Sequence, residues 1–134
     1  MPNINVTNVD MGPSPILQGA SFRDDVLTFA GADTFAAGTI LARDSVSGNL
    51  VPFVKGGVTN ENGIPKAILT YQVEADGAGD VPIRAGVAGE YRKEQLVIDG
   101  DGDDSNIDAA VIDQLRDYGL TPIDVDELNI LDNQ

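Results

Sequence analysis

Carboxylates are the reactive group this chain carries in quantity, and Asp99-Gly100-Asp101-Gly102-Asp103 spaces three of them as a calcium loop does, at positions 1, 3 and 5. The pattern then departs from that template. Asp104 stands where the loop's sharp turn needs glycine, and Ala110 stands where a bidentate glutamate should close the coordination sphere. A turn whose acids favour the positive end of a coming helix accounts for the same residues. Asp99, Asp101 and Asp103 are therefore a weak metal candidate, and no cofactor is expected. Asp24 and Asp25 form a second acidic pair, but adjacent residues in a strand point to opposite faces and cannot share a proton. The expectation there is two solvated acids. Gly77-Ala78-Gly79 leads into a strand pattern rather than a helix, so no helix N-terminus stands behind it to hold a phosphate.

The chain has no His, which removes the usual general base near neutral pH, and no Cys, which removes thiolate chemistry and disulfides. A hydrolase built on paired carboxylates needs two of them about 5–10 Å apart in a cleft, and nothing in the sequence converges that way. The expectation is that the chain is not an enzyme.

The elements that would position any functional surface are mostly strands. Thr39–Ala42 and Leu50–Phe53 flank Ser45-Val46-Ser47-Gly48-Asn49, which predicts a β-hairpin with a loop longer than two residues. Lys66–Val73 predicts one strand, with Ala67, Leu69, Tyr71 and Val73 on its buried face; Val81, Ile83, Ala85 and Val87 predict another. Val26–Phe29 is a further strand, and Gly31–Gly38 a small-residue loop anchored by Phe35. Leu96-Val97-Ile98 is a last apolar run before the acidic turn. Ile107, Ala110, Val111, Leu115 and Tyr118 lie at helical spacing, with Ser105 as N-cap, Asp108 completing a capping box, and Gly119 and Leu120 supplying a Schellman stop. Thr121–Val125 predicts an edge strand. The fold class is α+β, mainly β: a small antiparallel β unit with one C-terminal helix at 105–118 and an extended N-terminal arm.

One domain is expected for 134 residues, divided as an arm over 1–19, the β domain over 20–125 and an acidic tail over 126–134. The formal charge of −14 is uneven: residues 99–134 hold eleven acids against Arg116 alone. Such a surface repels nucleic acid and anionic membrane, so neither is expected as a partner; solubility at high local concentration or a basic partner is. Residues 1–19 lack the basic residues of a signal peptide, and no later run is long enough to span a membrane. Pro2, Pro13 and Pro15 hold their neighbours extended, while Ile4, Val6, Val9, Ile16 and Leu17 are too apolar for a plain spacer. The readings are a disordered tail or, more sharply, an arm that adds itself to a partner as a strand, paired near Ile4, Asn5 and Val6 and anchored at Ile16–Leu17. Asn5-Val6-Thr7 also matches a glycosylation acceptor, which carries no weight without a secretion signal.

The order of these elements resembles the lambda-type head decoration proteins of tailed bacteriophages. The family's opening Gly-Thr hairpin corresponds to Gly38, Thr39, Ile40 and Leu41, and its second run to Leu50-Val51-Pro52-Phe53. Gly63 and Ala67-Ile68-Leu69 stand near its next strand, Arg84-Ala85-Gly86 near its Arg-Gly strand, and Leu115–Leu120 match its helix end. The likeness covers roughly residues 38–123; the acidic insertion before the helix and the eleven residues after Ile123 depart from it. It implies a decoration protein made in the host cytoplasm that binds the outer surface of the expanded head as a homotrimer. Its arms would pair with the major capsid protein and stabilise the shell against internal DNA pressure. The alternative is another virion structural module, such as a fibre or adhesin base, with no preference for expanded capsids.

Overall fold

Two strands of fourteen residues each organise the molecule: β2 (Ile16–Phe29) and β8 (Gly79–Arg92). They run antiparallel from Phe29 opposite Gly79 to Ile16 opposite Tyr91. Around them lie β1 (Val6–Val9), β3 (Asp33–Phe35), β4 (Ile40–Arg43), β5 (Leu50–Pro52), β6 (Pro65–Leu69) and β7 (Gln72–Ala75). A 3₁₀ turn (Lys93–Gln95), helix α1 (Ala109–Asp117) and β9 (Leu120–Ile123) complete the order. This computed structural model describes residues 14–98 and 105–123, and the backbone of 6–9.

The larger sheet has the order β2-β5-β4-β6-β8-β9, and β2 also pairs with β8. Five strands thus close on themselves as a small barrel, with β9 added in parallel outside β8. A second sheet, β1-β7-β3, is antiparallel throughout. At β4 and β6 the barrel wall is buried on both faces. Leu41, Ala67 and Leu69 join Leu27, Phe29, Leu50, Val81 and Ile83 in one core; Ile40, Ala42 and Ile68 join Tyr91, Leu96, Ile107, Val111, Leu115 and Leu120 in another, beneath the helix. That is why Ala67-Ile68-Leu69 is a continuous apolar run instead of an alternating one.

The mainly β class with one C-terminal helix is as expected, and so is the hairpin: β4 and β5 pair antiparallel around Asp44–Asn49. Asp44 organises that loop by accepting hydrogen bonds from the Val46 and Ser47 amides at 2.8 and 3.0 Å. Phe35 is the anchor predicted for the small-residue loop, stacked on Phe29 with 4.8 Å between ring centroids.

Elsewhere the structure differs. The strand predicted over 66–73 breaks at Thr70–Tyr71, so β6 lies in the barrel and β7 in the second sheet. At this corner the Thr70 hydroxyl donates to the Arg84 carbonyl (3.2 Å) and the Arg84 amide donates to the Tyr71 hydroxyl (3.1 Å). Two side chains occupy the β8 backbone groups next in line after the Leu69–Ala85 pair, and the β6 ladder stops.

The helix begins later than predicted. Its N-cap is Asp108, not Ser105: Asp108 is extended, and its carboxylate accepts from the Val111 amide at 3.1 Å. Ile107, Val111 and Leu115 form the buried stripe, whereas Ala110 and Tyr118 are exposed. Gly119 takes the left-handed C′ conformation (φ +81°) and Leu120 is fully buried, as the Schellman pattern requires.

The long strand β2 also moves the N-terminal boundary. Barrel pairing begins at Ile16, so Ile16–Leu17 belong to the barrel and a domain boundary at Gly19 would fall inside a strand. The register shifts at Gln18 and Ser21, and Gly89 opposes this bulged stretch with φ +117°. A Cβ on Gly89 would come within 2.6 Å of the Ala20 Cα. At the other end, the predicted edge strand is β9, which begins one residue earlier than expected and is described only as far as Ile123.

Candidate functional site

Of the acids singled out by the sequence for chemistry, Asp25 is held in an ion pair, Asp24 is exposed, and the others lie outside the described residues. Asp99, Asp101 and Asp103 fall outside them, as do Ile4 and Asn5. Among the described residues no group of three or more His, Cys, Asp or Glu could hold a metal ion, and no buried side-chain nitrogen or oxygen lacks a partner.

Asp25 is not the solvated acid its neighbour Asp24 is. Its carboxylate accepts both guanidinium nitrogens of Arg43, at 2.6 and 3.2 Å, and the same guanidinium donates to the Gly48 carbonyl at 2.8 Å. Burial pushes the Asp25 carboxyl up, but the Arg43 hydrogen bonds, the Val26 amide and the nearby positive charges together hold it below the usual carboxylate range. The pair ties β2 to the hairpin loop. Sequence spacing gave no signal for it, because the two residues are eighteen apart and meet through barrel closure. In the groove of about 490 Å³ lined by Arg23, Arg43, Asp44, Glu61 and Lys66, the Arg43 and Asp44 side chains are already held by hydrogen bonds. Lys66 sits 3.9 Å from the centroid of the Tyr118 ring.

The helix is clamped along its length. Lys55 pairs with Asp108 at 2.6 Å, the Gln114 amide donates to the Gly63 carbonyl at 3.1 Å, and Lys66 covers Tyr118. The Lys55 ammonium and the Val111 amide hold the Asp108 carboxyl below its ordinary range. Gly63 and Leu115–Leu120 thus lie where helix and sheet lock.

Gly38 and Thr39 are a second junction. The Gly38 amide donates to the Leu69 carbonyl at 2.7 Å, and the Gly38 carbonyl accepts from the Val97 amide at 3.0 Å. A Cβ at Gly38 would lie 1.7 Å from the Gln95 carbonyl oxygen, and its φ is +97°. Glycine alone fits a backbone approach this close at that φ. The buried Thr39 hydroxyl donates to the Ala36 carbonyl at 2.7 Å.

Two exposed surfaces stand out among the described residues. Val46, Val54 and Val58 are exposed at 79, 46 and 93 % on the loops after β4 and β5. The two loops are joined by the Ser45 amide on the Asn60 carbonyl at 3.0 Å, beside the left-handed residues Asn60 and Glu61. The other surface is the edge of the second sheet. Val6 and Val9, predicted for the arm, lie in β1, which pairs with β7 of the same chain: Val6 opposite Ala75, Thr7 opposite Glu74, Asn8 opposite Val73, Val9 opposite Gln72. Ile16 and Leu17 are half-buried at the start of β2, seven residues further along. The structure thus separates the predicted arm residues into a docked strand and a barrel strand.

Residues 17–120 match the family model for the bacteriophage lambda head decoration protein D. The chain belongs to that family. The match runs from the second residue of β2 to the first residue of β9, taking in the barrel, both cores and the helix. As a head decoration protein it is a structural component of the phage virion, located on the capsid. Comparison with curated proteins and with solved structures returns no match. Strand β1 lies outside the matched region, ahead of the family domain.

Proposed function

We propose that this protein cements the expanded phage head from outside, as a homotrimer at three-fold positions, and holds neighbouring capsomers together against the pressure of packaged DNA. The domain over residues 17–120 is the body, and the N-terminal segment containing Ile4, Asn5, Val6 and Val9 is the arm that pairs with the major capsid protein. Ile16 and Leu17 root the arm in the barrel. The observation that carries this reading is the family match across the whole folded domain with a short strand placed just ahead of it.

The physics of the arrangement is favourable. Strand addition draws its affinity from main-chain hydrogen bonds and so tolerates side-chain change on either partner. Joining three modest arm contacts in one body makes the later ones intramolecular, which raises avidity by about 10²–10⁴. The acidic surface keeps many copies soluble before assembly and does not compete for nucleic acid or anionic membrane. No metal or cofactor enters the mechanism. The protein is made in the host cytoplasm and joins the head after expansion.

Co-sedimentation tests this. The purified protein should pellet with expanded capsids, stay in the supernatant when mixed with procapsids, and appear in capsid density as three copies around each three-fold. Equal binding to procapsids, or density for one or two copies, would reject the proposal. Removing residues 1–9 should abolish retention on expanded capsids.

A further inference from the structure

The β1–β7 pairing bears on how such an arm is kept before it meets a capsid. Strand β7 is the centre of the second sheet, with β3 on one edge and β1 on the other. Without β1 that edge would present unpaired main-chain groups, the usual route to edge-to-edge aggregation. The pairing is short, four residues, and its register partners are mixed in type. Val6 opposite Ala75 joins two apolar residues, but Asn8 stands opposite the buried Val73, and Val9 opposite Gln72. A register with so little agreement is weakly specified and easily exchanged. Docked, residues 6–9 stay on their own sheet. Extended, the fifteen residues before Ile16 would span up to about 50 Å, enough to leave the protein's own footprint.

We propose that the Gln72–Ala75 edge is a holding site for the chain's own N-terminal strand, which leaves it to pair with a strand of the capsid protein during assembly. This rests on the arm reading above. The same four residues serve two alternative ladders, one within the chain and one with the partner. Docking protects the edge in the free protein and lowers the apparent affinity of the arm by the fraction of molecules in which it is held. A capsid that offers a better strand then draws the arm out, and binding is confined to surfaces that outcompete β7.

Because the chain contains no cysteine, the strand can be locked cleanly. Thr7 and Glu74 are register partners, and directly opposed antiparallel residues lie about 4.5–5.5 Å apart at Cα, within disulfide range. Thr7→Cys with Glu74→Cys should oxidise to a bond within one chain in the free protein. The oxidised form should bind expanded capsids at least tenfold more weakly than the same variant after reduction. Val9→Cys with Gln72→Cys is a second lock at a different register pair, and should behave alike. If both locked forms bind as well as their reduced forms, β1 does not leave β7 and the inference is wrong. If the bonds form chiefly between chains, the edge holds another copy's strand and the inference is again wrong. The variant lacking residues 1–9 separates the two levels. Full binding by that variant overturns the arm reading and this inference together. Lost binding by the deletion beside retained binding by the locks overturns the inference alone.

Discussion

The barrel and the three-stranded sheet are built from neighbouring residues of one chain, yet they are held by different means. The barrel closes on itself, buries both faces of β4 and β6, and is pinned by junctions that admit little substitution, Gly38 against Gln95 and Gly89 against Ala20. The second sheet has two edges, a three-residue strand on one and a four-residue strand on the other, and joins the barrel core through Phe35, Val73 and Ala75. The difference teaches where each kind of work is done. A closed wall with a helix clamped across it is built to resist local opening, and a short open-edged sheet to open at lower cost.

The largest effect expected from a single change is at the barrel junction. In Gly38→Ala the new Cβ meets the Gln95 carbonyl oxygen at 1.7 Å and the residue is held at φ +97°, so backbone on both sides must move. A loss of about 3–5 kcal/mol in urea unfolding is expected, at the severe end for a point substitution. A loss below 1 kcal/mol would show that the junction yields and that the barrel is less rigid than the second sheet's contrast implies.

A smaller effect distinguishes the packing beneath the helix. Tyr91 is fully buried where β8 meets β9; its hydroxyl donates to the Ala88 carbonyl at 3.0 Å, and a Cβ on Gly86 would come within 2.1 Å of the Tyr91 hydroxyl oxygen. Burial pushes the phenol up to about 12. The sign follows from which state holds the proton more tightly. Below the unfolded value near 10 both states are protonated and Tyr91 adds no pH dependence. As pH rises from there through the folded value, the unfolded chain ionises first and stability falls, by a few kcal/mol at most. Tyr91→Phe should cost about 1 kcal/mol at neutral pH and flatten the alkaline slope. Identical slopes in the two proteins would mean that Tyr91 is not the group responsible.

How much of this could be read in advance depends on how local each feature is. The hairpin, the Phe35 anchor and the Ile107–Val111–Leu115 stripe follow from periodicity and turn residues within a dozen positions, and they were legible. The break after Leu69 was not, because what stops β6 is a pair of side chains hydrogen-bonding Arg84, fourteen and thirteen residues away. Asp108 displaced Ser105 as the cap although both residue types suit the position; the tertiary placement of Ile107 in the core decides where the first turn can start. The family landmarks were legible as spelling, but their physics was not: Gly38 is required by a carbonyl fifty-seven residues further on. Of the candidate surface, the apolar character of Val6 and Val9 was visible, while their pairing with β7 depends on sixty-odd intervening residues folding first.

The smallest effect on global stability is expected from removing β1, and it sharpens the comparison most. Every residue of the two described cores lies at Leu27 or beyond, apart from the half-buried Ile16 and Ala20 packed against one of them. Deleting residues 1–9 leaves all of these in place, including the Pro15 carbonyl that accepts the Arg92 amide at 2.7 Å. Four paired residues at a sheet edge contribute ladder hydrogen bonds worth about 0.5–1.5 kcal/mol each, largely offset by the backbone entropy of ordering them. Unfolding free energy should therefore change by no more than about 1 kcal/mol. Hydrogen exchange should show the change where global unfolding does not: amides within Gln72–Ala75 that lose a β1 partner should exchange faster, while those of Ile40, Ile68 and Leu69 in the barrel keep their protection. Faster exchange throughout the barrel would mean that the two regions unfold as one unit, and that the N-terminal strand belongs to the barrel's cooperative unit.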